Sequence, residues 1–332
     1  MSQAAPDALR RLVAAALERS NTSPANAAPV ADALVAAEID GQKGHGLSRV
    51  PSYAAQARSG KVDGQATPRL SRPKPGALVV DAADGFAYPA IDLAIAELSG
   101  VAPAQGIAAA AIHHSHHFGV AGRHAERLAE RGLVTLILGN SPQAIAPWGG
   151  RTAIFGTNPI AFAAPRRAQP PLVVDLSLSK VARGRIMVAA QKGEAIPEGW
   201  ALDKAGNPTT DAKAALDGAM LPMGDAKGAA LALMVEILAA ALTASHLGFE
   251  ASSFFAGEGP PPRVGQLMLA IDPGALSGGA FAERLETLLG AMLAQPGVRL
   301  PGARRLDNRA KARSGMIEVD DKTLQEIESL AR

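Results

Sequence analysis

The chain has 332 residues, 48% of them hydrophobic and only 4% aromatic, and its 33 basic and 31 acidic residues leave a formal net charge of +2. It can bury a substantial core and is long enough for two domains, so a disordered or fibrous chain is excluded, and the near-neutral balance argues against a general nucleic-acid binder. Without cysteine there is no disulfide framework, thiolate metal site or cysteine nucleophile; the start lacks a signal-peptide pattern and no apolar run reaches bilayer length, so a soluble, cytoplasmic protein is expected.

Pro6 to Arg19 sets Leu9, Leu12, Val13, Ala16 and Leu17 at helical spacing, with Arg10, Arg11, Glu18 and Arg19 opposite. A second helical pattern through Val30, Leu34 and Val35 runs to Gly41, and Pro29 demands a late start or a kink. Then Asp40 to Tyr53 reads DGQKGHGLSRVPSY, in which His45 stands between two glycines that leave its imidazole accessible. Spacing alone favours an ordinary surface-loop histidine there. Ala77 to Ala82 reads as a strand and Pro89 to Ala102 as a helix ended by Pro103. Gly106 to Ala111 leads as a strand into HHSHHFG, residues 113–119. An extended backbone points His114 and His116 to one face and His113 and His117 to the other, with no acid near in sequence, so no metal site is expected.

Ala121 to Arg131 follows as a helix carrying Arg123 and His124 as solvated residues, then Leu133 to Leu138 as a strand. The stretch GNSPQAIAPWGGRTAIFGTNPIAFAAP, residues 139–165, mixes glycine and proline among short apolar runs and reads as consecutive turns. In Leu172 to Ser177, Asp175 follows three apolar residues and by itself caps a strand end. Gly199 to Ala215 reads as a long loop. LPMGDAKG, residues 221–228, opens an alanine-rich helix over Ala229 to Ala241, whose N–H groups and positive dipole end, with Lys227, suit a pyrophosphate; Asp225 is expected to cap it. A strand at Gly265 to Pro273, a helix through Phe281, Leu285, Leu289 and Met292, and a capped helix at Asp320 to Ala331 complete the chain. There is no internal repeat and no G-x-G-x-x-G after a strand, which excludes a Rossmann reading.

Several of these segments resemble the malate/L-lactate dehydrogenase-like family of nicotinamide-dependent oxidoreductases, which includes sulfolactate dehydrogenases and piperideine- or pyrroline-2-carboxylate reductases. The likeness runs through His45-Gly46, Arg49, Pro51 and Tyr53; through SHHFG; through the Asn-Ser, Pro-Trp-Gly-Gly and Gly-Thr-Asn-Pro elements of 139–165; through GWALDKAGNPTTD, LPMGDAKG and Leu300-Pro301-Gly302. It implies an α/β protein with a three-layer, non-Rossmann, sulfolactate-dehydrogenase-like fold: a mixed, largely antiparallel sheet, and a helical part built from both chain ends. The implied division is 1–74 with 275–332 for the helical, dimerisation and substrate part and 75–274 for the cofactor part, in a homodimer. The implied roles are His45 as proton donor, Arg49 as carboxylate anchor, and Tyr53 and His117 at the substrate. Asn158, Asp175, Leu176, Ser177, Lys227, Gly228, Arg304 and Arg305 are implied at the cofactor, and no metal. Two positions depart from the pattern: Gly44 replaces a serine, and Asp225 a common glycine.

The resemblance leads to a reductase of a small 2-oxo acid. Arg304, Arg305, Lys180 and Arg183 are cations suited to a 2′-phosphate, which favours NADPH, with NADH as the second choice. Imine-reducing relatives can carry an acid where this chain has Arg185, and a cation there disfavours a protonated imine while attracting a second anionic group on the substrate. Against this, residues 61–68 and 302–305 look more like the imine reductases. Reduction of cyclic imines is therefore the alternative within the family, and a non-catalytic ligand-binding relative and a histidine-cluster metalloprotein are the readings outside it.

Overall fold

The computed structural model describes residues 1–313 and 315–332. In chain order it contains β1 (Ser2–Ala4), α1 (Pro6–Glu18), α2 (Pro24–Ile39), two 3-10 turns (Lys43–His45 and Leu47–Arg49), α3 (Val50–Ser59), β2 (Arg69–Lys74), β3 (Ala77–Asp81), α4 (Ala87–Gln105), β4 (Ile107–Ser115), α5 (Ala121–Ala129), β5 (Val134–Gly139), β6 (Ile160–Ala164) and β7 (Leu172–Leu176). There follow α6 (Arg183–Lys192), β8 (Ala201–Leu202), β9 (Pro208–Thr209), α7 (Ala212–Asp217), β10 (Ala219–Met220), α8 (Ala226–Glu236) with a π-helical turn at Ile237–Ala241, β11 (Val264–Ile271), α9 (Pro273–Ser277), α10 (Phe281–Leu293), α11 (Ala303–Ala312), β12 (Ile317–Val319) and α12 (Asp321–Ala331).

The central sheet has the order β2-β3-β4-β11-β5-β6-β7. Its neighbours run antiparallel except β3 and β4, which α4 joins as a parallel crossover. Both faces are covered, because helices supply apolar stripes to each. On one side Ile91, Ile95 and Leu98 of α4 and Leu128 of α5 meet Val80, Ile112, Ile137 and Met268. On the other, Ala232 and Val235 of α8 and Ala239 of the π turn meet Leu138 and Leu267. The result is the three-layer, mixed and largely antiparallel arrangement that the sequence led us to expect.

A second core lies where the two ends of the chain meet. Leu9, Val13 and Leu17 of α1, Val30 and Leu34 of α2, Tyr53 of α3 and Ile327 of α12 form one buried cluster. The antiparallel pair of β1 with β12 closes it. A small third unit gathers Ile186, Ile196, Ala212, Ala215 and Met220 around the β10-β8-β9 sheet. No helix among the described residues is long and apolar enough to cross a membrane.

Some local expectations are corrected. α2 begins at Pro24, capped by Ser23 accepting from the Asn26 N–H, and continues through Pro29, since burial of nearly every following residue outweighs one lost backbone bond. α4 likewise runs past Pro103 to Gln105. The 139–165 stretch holds β6 at its end, and the 199–215 segment contributes β8, β9 and the start of α7. Asp225 makes no side-chain cap; its φ is +57° and its carboxylate stands 3.7 Å from the Lys180 ammonium.

Candidate active site

α2 ends in the buried acid Glu38, whose Oε2 accepts the Leu47 N–H at 3.1 Å, so the two 3-10 turns carrying His45 and Arg49 fold back onto the helix that precedes them. Gly46 is needed for this close approach: a Cβ there would lie 2.4 Å from Glu38 Oε2. Nothing lies within 4 Å of a Cβ built at Gly44, so packing does not impose glycine at that position.

The turns bring four expected residues together. His45 Nδ1 lies 3.1 Å from His117 Nε2, with the two rings only 14° from coplanar. His117 Nδ1 lies 2.5 Å from the Tyr53 hydroxyl, which in turn lies 3.2 Å from the Tyr88 hydroxyl. Arg49 donates through Nε to the Gly44 carbonyl at 2.7 Å and stacks its guanidinium 4.5 Å over the Phe255 ring, while its Nη1 is buried with no partner among the described residues. Tyr53 is fully buried, so its hydroxyl backs His117 from behind and does not reach a substrate directly. Burial, then the Arg49 charge, pulls the His45 pKa down to about 4. The same causes, in the same order, hold His117 well below the usual imidazole range. Burial pushes Tyr53 well above its ordinary value and Tyr88 up to about 12.

Aromatic and cationic residues from distant segments frame this cluster. Gln56 donates to the carbonyls of Phe254 and Ala256, and the Lys61 ammonium to those of Ser253, Ala256 and Glu258. These bonds hold Phe254 against His117 and Phe255 beneath Arg49. Sequence reading missed Tyr88, Phe254 and Phe255. Only the count offered a hint for Tyr88: the chain has two tyrosines, and both are here.

The histidine run departs from simple alternation. His114 takes φ +47°, which brings its ring to 4.4 Å from that of His113 and its Nδ1 to 3.0 Å from Asp81 on the neighbouring strand. These three side chains thus converge apart from His117. His116 is buried against Gln56 Oε1 at 2.7 Å. His124, expected to be solvated, is also buried, because its face of α5 turns to the sheet; its Nε2 bonds the Phe118 carbonyl.

The expected cofactor residues form a second group, linked to the first by the turn between β4 and α5. Asp175 accepts the Gly122 N–H at 2.8 Å in the first turn of α5, five residues beyond His117. Burial raises its pKa, opposed by that bond and by Arg305. The Leu300-Pro301-Gly302 turn reaches the same strand, with a Cβ at Gly302 falling 3.5 Å from the Val173 carbonyl. Leu176 packs at the edge of the core under α8. Ser177 bonds Ser179 Oγ at 2.8 Å, and Ser179 bridges to Pro222, which sets residues 177–180 beside 221–228. Lys227 is exposed in the first turn of α8. Gly228 is buried so tightly that a Cβ would lie 1.7 Å from the Met223 carbonyl.

Four expected residues remain. Asn158 is fully buried and donates to the Ala232 carbonyl and to Glu236, bracing its turn against α8. Arg305 is turned inward onto Glu126 at 3.1 Å, whereas Arg304 is exposed. Arg185 is exposed in the first turn of α6, with no side-chain hydrogen bond or ion pair among the described residues.

Known proteins share this fold and sequence. A (2R)-3-sulfolactate dehydrogenase (NADP(+)) of Chromohalobacter salexigens is 53% identical over 321 residues, 96% of this chain and 95% of that protein. A delta(1)-pyrroline-2-carboxylate/delta(1)-piperideine-2-carboxylate reductase of Pseudomonas putida is 43% identical over 97% of this chain and 95% of its own. Among solved structures, delta1-piperideine-2-carboxylate reductase from Pseudomonas syringae pv. tomato superposes with a TM-score of 0.94 at 38% identity, covering 99% of this chain and 100% of that one. Sulfolactate dehydrogenase from Methanocaldococcus jannaschii gives 0.90 at 28% identity, covering 99% and 96%. The family model for malate/L-lactate dehydrogenase matches residues 4–328, and the chain belongs to that family.

Proposed function

We propose that the protein transfers a hydride between NADP(H) and a small 2-oxo or 2-hydroxy acid carrying a second anionic group, of the 3-sulfolactate type, with NADH as a poorer cofactor. The observation that carries this reading is the guanidinium of Arg49. One of its nitrogens is spent on the Gly44 carbonyl and another, Nη1, is buried without a partner among the described residues, an arrangement suited to a substrate carboxylate held next to a proton donor. His45 then gives its proton to the carbonyl oxygen as the hydride arrives at the adjacent carbon. The nicotinamide supplies that hydride. Lys227, the N–H groups opening α8, and Arg304 are free to meet cofactor phosphates, and Asp175 with Ser177 its sugar or amide hydroxyls and N–H groups. Asn158, Gly228 and Arg305 support these groups from inside.

Reduction of cyclic imines is the second reading, favoured by the 43% identical reductase. Arg185 weighs against it, since an exposed cation repels a protonated imine and attracts a sulfonate or second carboxylate. Residues 1–74 with 275–332 present His45, Arg49 and Tyr53, and residues 75–274 present His117, Asp175 and Lys227, which supports the division into substrate and cofactor parts. An exposed apolar stripe of Leu233, Met234, Ile237 and Leu242 along α8 and the turn beyond it supports a homodimer. We place the reaction in the cytoplasm, where reduced cofactor is regenerated. The test is the loss of NADPH or NADH absorbance with 3-sulfopyruvate, oxaloacetate, pyruvate and piperideine-2-carboxylate. Sulfopyruvate should be fastest, with NADPH; efficient turnover of the imine alone would reverse the choice.

A further inference from the structure

The role given to His45 raises a difficulty that the surrounding residues resolve. Burial and the Arg49 charge disfavour the imidazolium form of His45, and its Nδ1 faces another ring nitrogen, so a neutral donor ring resupplied at one nitrogen as it gives from the other fits the site. The contacts for this exist. Nδ1 of His45 faces Nε2 of His117 at 3.1 Å, Nδ1 of His117 faces the Tyr53 hydroxyl at 2.5 Å, and that hydroxyl faces Tyr88 at 3.2 Å. All three residues behind His45 are buried. Beyond them, Tyr88 lines a cavity of about 80 Å³ with Asp32, Asp92, Arg123, His124 and Arg127. Arg123 is paired with Asp32 and Arg127 with Asp92, so the cavity is polar without carrying a net charge, and it has room for water.

Resting on the reading of His45 as proton donor, we propose that His45, His117, Tyr53 and Tyr88 form a proton relay that refills His45 from the cavity behind Tyr88. The protons balance. The substrate oxygen takes the proton from His45 Nε2, His45 Nδ1 takes one from His117 Nε2, His117 Nδ1 takes one from the Tyr53 hydroxyl, Tyr53 from Tyr88, and Tyr88 from cavity water, whose proton is replaced from bulk solvent. Each bond N–H or O–H that breaks is replaced by one that forms on the same residue, and no buried ring or phenol is left charged. The forward run leaves His45 Nε2 bare, which is the acceptor that oxidation of the alcohol needs, and running the row backwards restores its N–H. Tyr53 and Tyr88 thereby act through His45, without touching substrate. Gly119 makes room for this, since a Cβ there would lie 2.6 Å from the Tyr88 hydroxyl.

Two variants test the relay. Tyr88→Phe keeps the ring and deletes the last hydroxyl: we expect kcat for reduction to fall about tenfold with KM unchanged, and to recover when imidazole is added as an external proton carrier. Unchanged kcat, or a loss that imidazole does not recover, overturns the relay. The second measurement needs no substrate. Nitrogen-15 spectra of the histidine rings at pH 7 should show His45 and His117 neutral, each in one dominant tautomer, and Tyr53→Phe should turn both into mixtures. A protonated His45, or tautomers indifferent to Tyr53→Phe, rejects the proposal. A wild-type protein that reduces neither oxo acids nor imines fails the functional reading instead, and the spectra still decide the relay.

Discussion

His45 and Arg49 sit on consecutive 3-10 turns, and the separate duties proposed for them should make separate kinetic signatures. His45→Ala should lower kcat by roughly 10²–10⁴-fold while a fluorescence titration with NADPH stays near wild type, because the imidazole acts only in the chemical step. Arg49→Lys should raise KM for every 2-oxo acid, since an ammonium reproduces neither the fork that holds Gly44 nor the free nitrogen beside it. Equal KM across the substrate panel would remove Arg49 from carboxylate binding. Arg185→Glu should shift the ratio of kcat/KM toward piperideine-2-carboxylate and away from sulfopyruvate. The His45 to Tyr53 segment could be read from the sequence because its members are local and their chemistry is explicit. Tyr88, Phe254 and Phe255 could not, since they meet Tyr53, His117 and Arg49 respectively only through tertiary contacts with no periodic signal.

At the level of elements, α11 acts as a clasp on the catalytic segment. Arg309 bonds both oxygens of Asp40, at the foot of α2, and both of Glu126 on α5, while Asn308 reaches the Asp40 carbonyl. Both acids are nearly inaccessible, and Arg305 stands 3.1 Å from Glu126 but only 4.0 Å from Asp40, so Arg309→Met removes most of the charge compensation of Asp40 and should destabilise the fold by roughly 3–5 kcal/mol, measured by denaturant unfolding. A change below about 0.5 kcal/mol would mean the clasp is not closed in solution. Gly228→Ala should likewise weaken the protein, since the added methyl group strikes the Met223 carbonyl and must lever the 221–228 turn off α8. Helix positions were legible where apolar residues recur at helical spacing, as in α1. Their starts were less so: α2 passes through Pro29, and the left-handed Asp225 pairs with Lys180 instead of capping α8, both settled by tertiary surroundings that no local pattern carries.

Across the whole molecule, the buried imidazoles set the response to acid. Burial pulls the pKa of His116 and of His124 from an ordinary 6.5 down to about 3, so each is neutral in the folded chain while the unfolded chain binds a proton below 6.5. Their contribution is fully present above pH 6.5 and is lost as pH falls toward 3, at most about 5 kcal/mol each. Unfolding free energy measured between pH 7 and 4 should therefore drop steeply, and a flat profile would contradict their burial. The mixed, largely antiparallel character of the sheet followed from the family resemblance, whereas its strand order and its single parallel pair were not legible in the strands taken one by one, because short apolar runs do not reveal their neighbours.

The lobe in which α12 closes over α1 and α3 also has a consequence in time. A ribosome emits the His45 segment early, yet the helix that completes its support leaves much later, so roughly 15–60 s of synthesis separates the two at ordinary elongation rates. Until then the first helices have apolar faces with no final partner, and contacts spanning nearly the full chain must close before catalysis is assembled. A nascent chain stalled before Asp321 should thus hold a formed central sheet, bind chaperones through its N-terminal helices, and show no reductase activity.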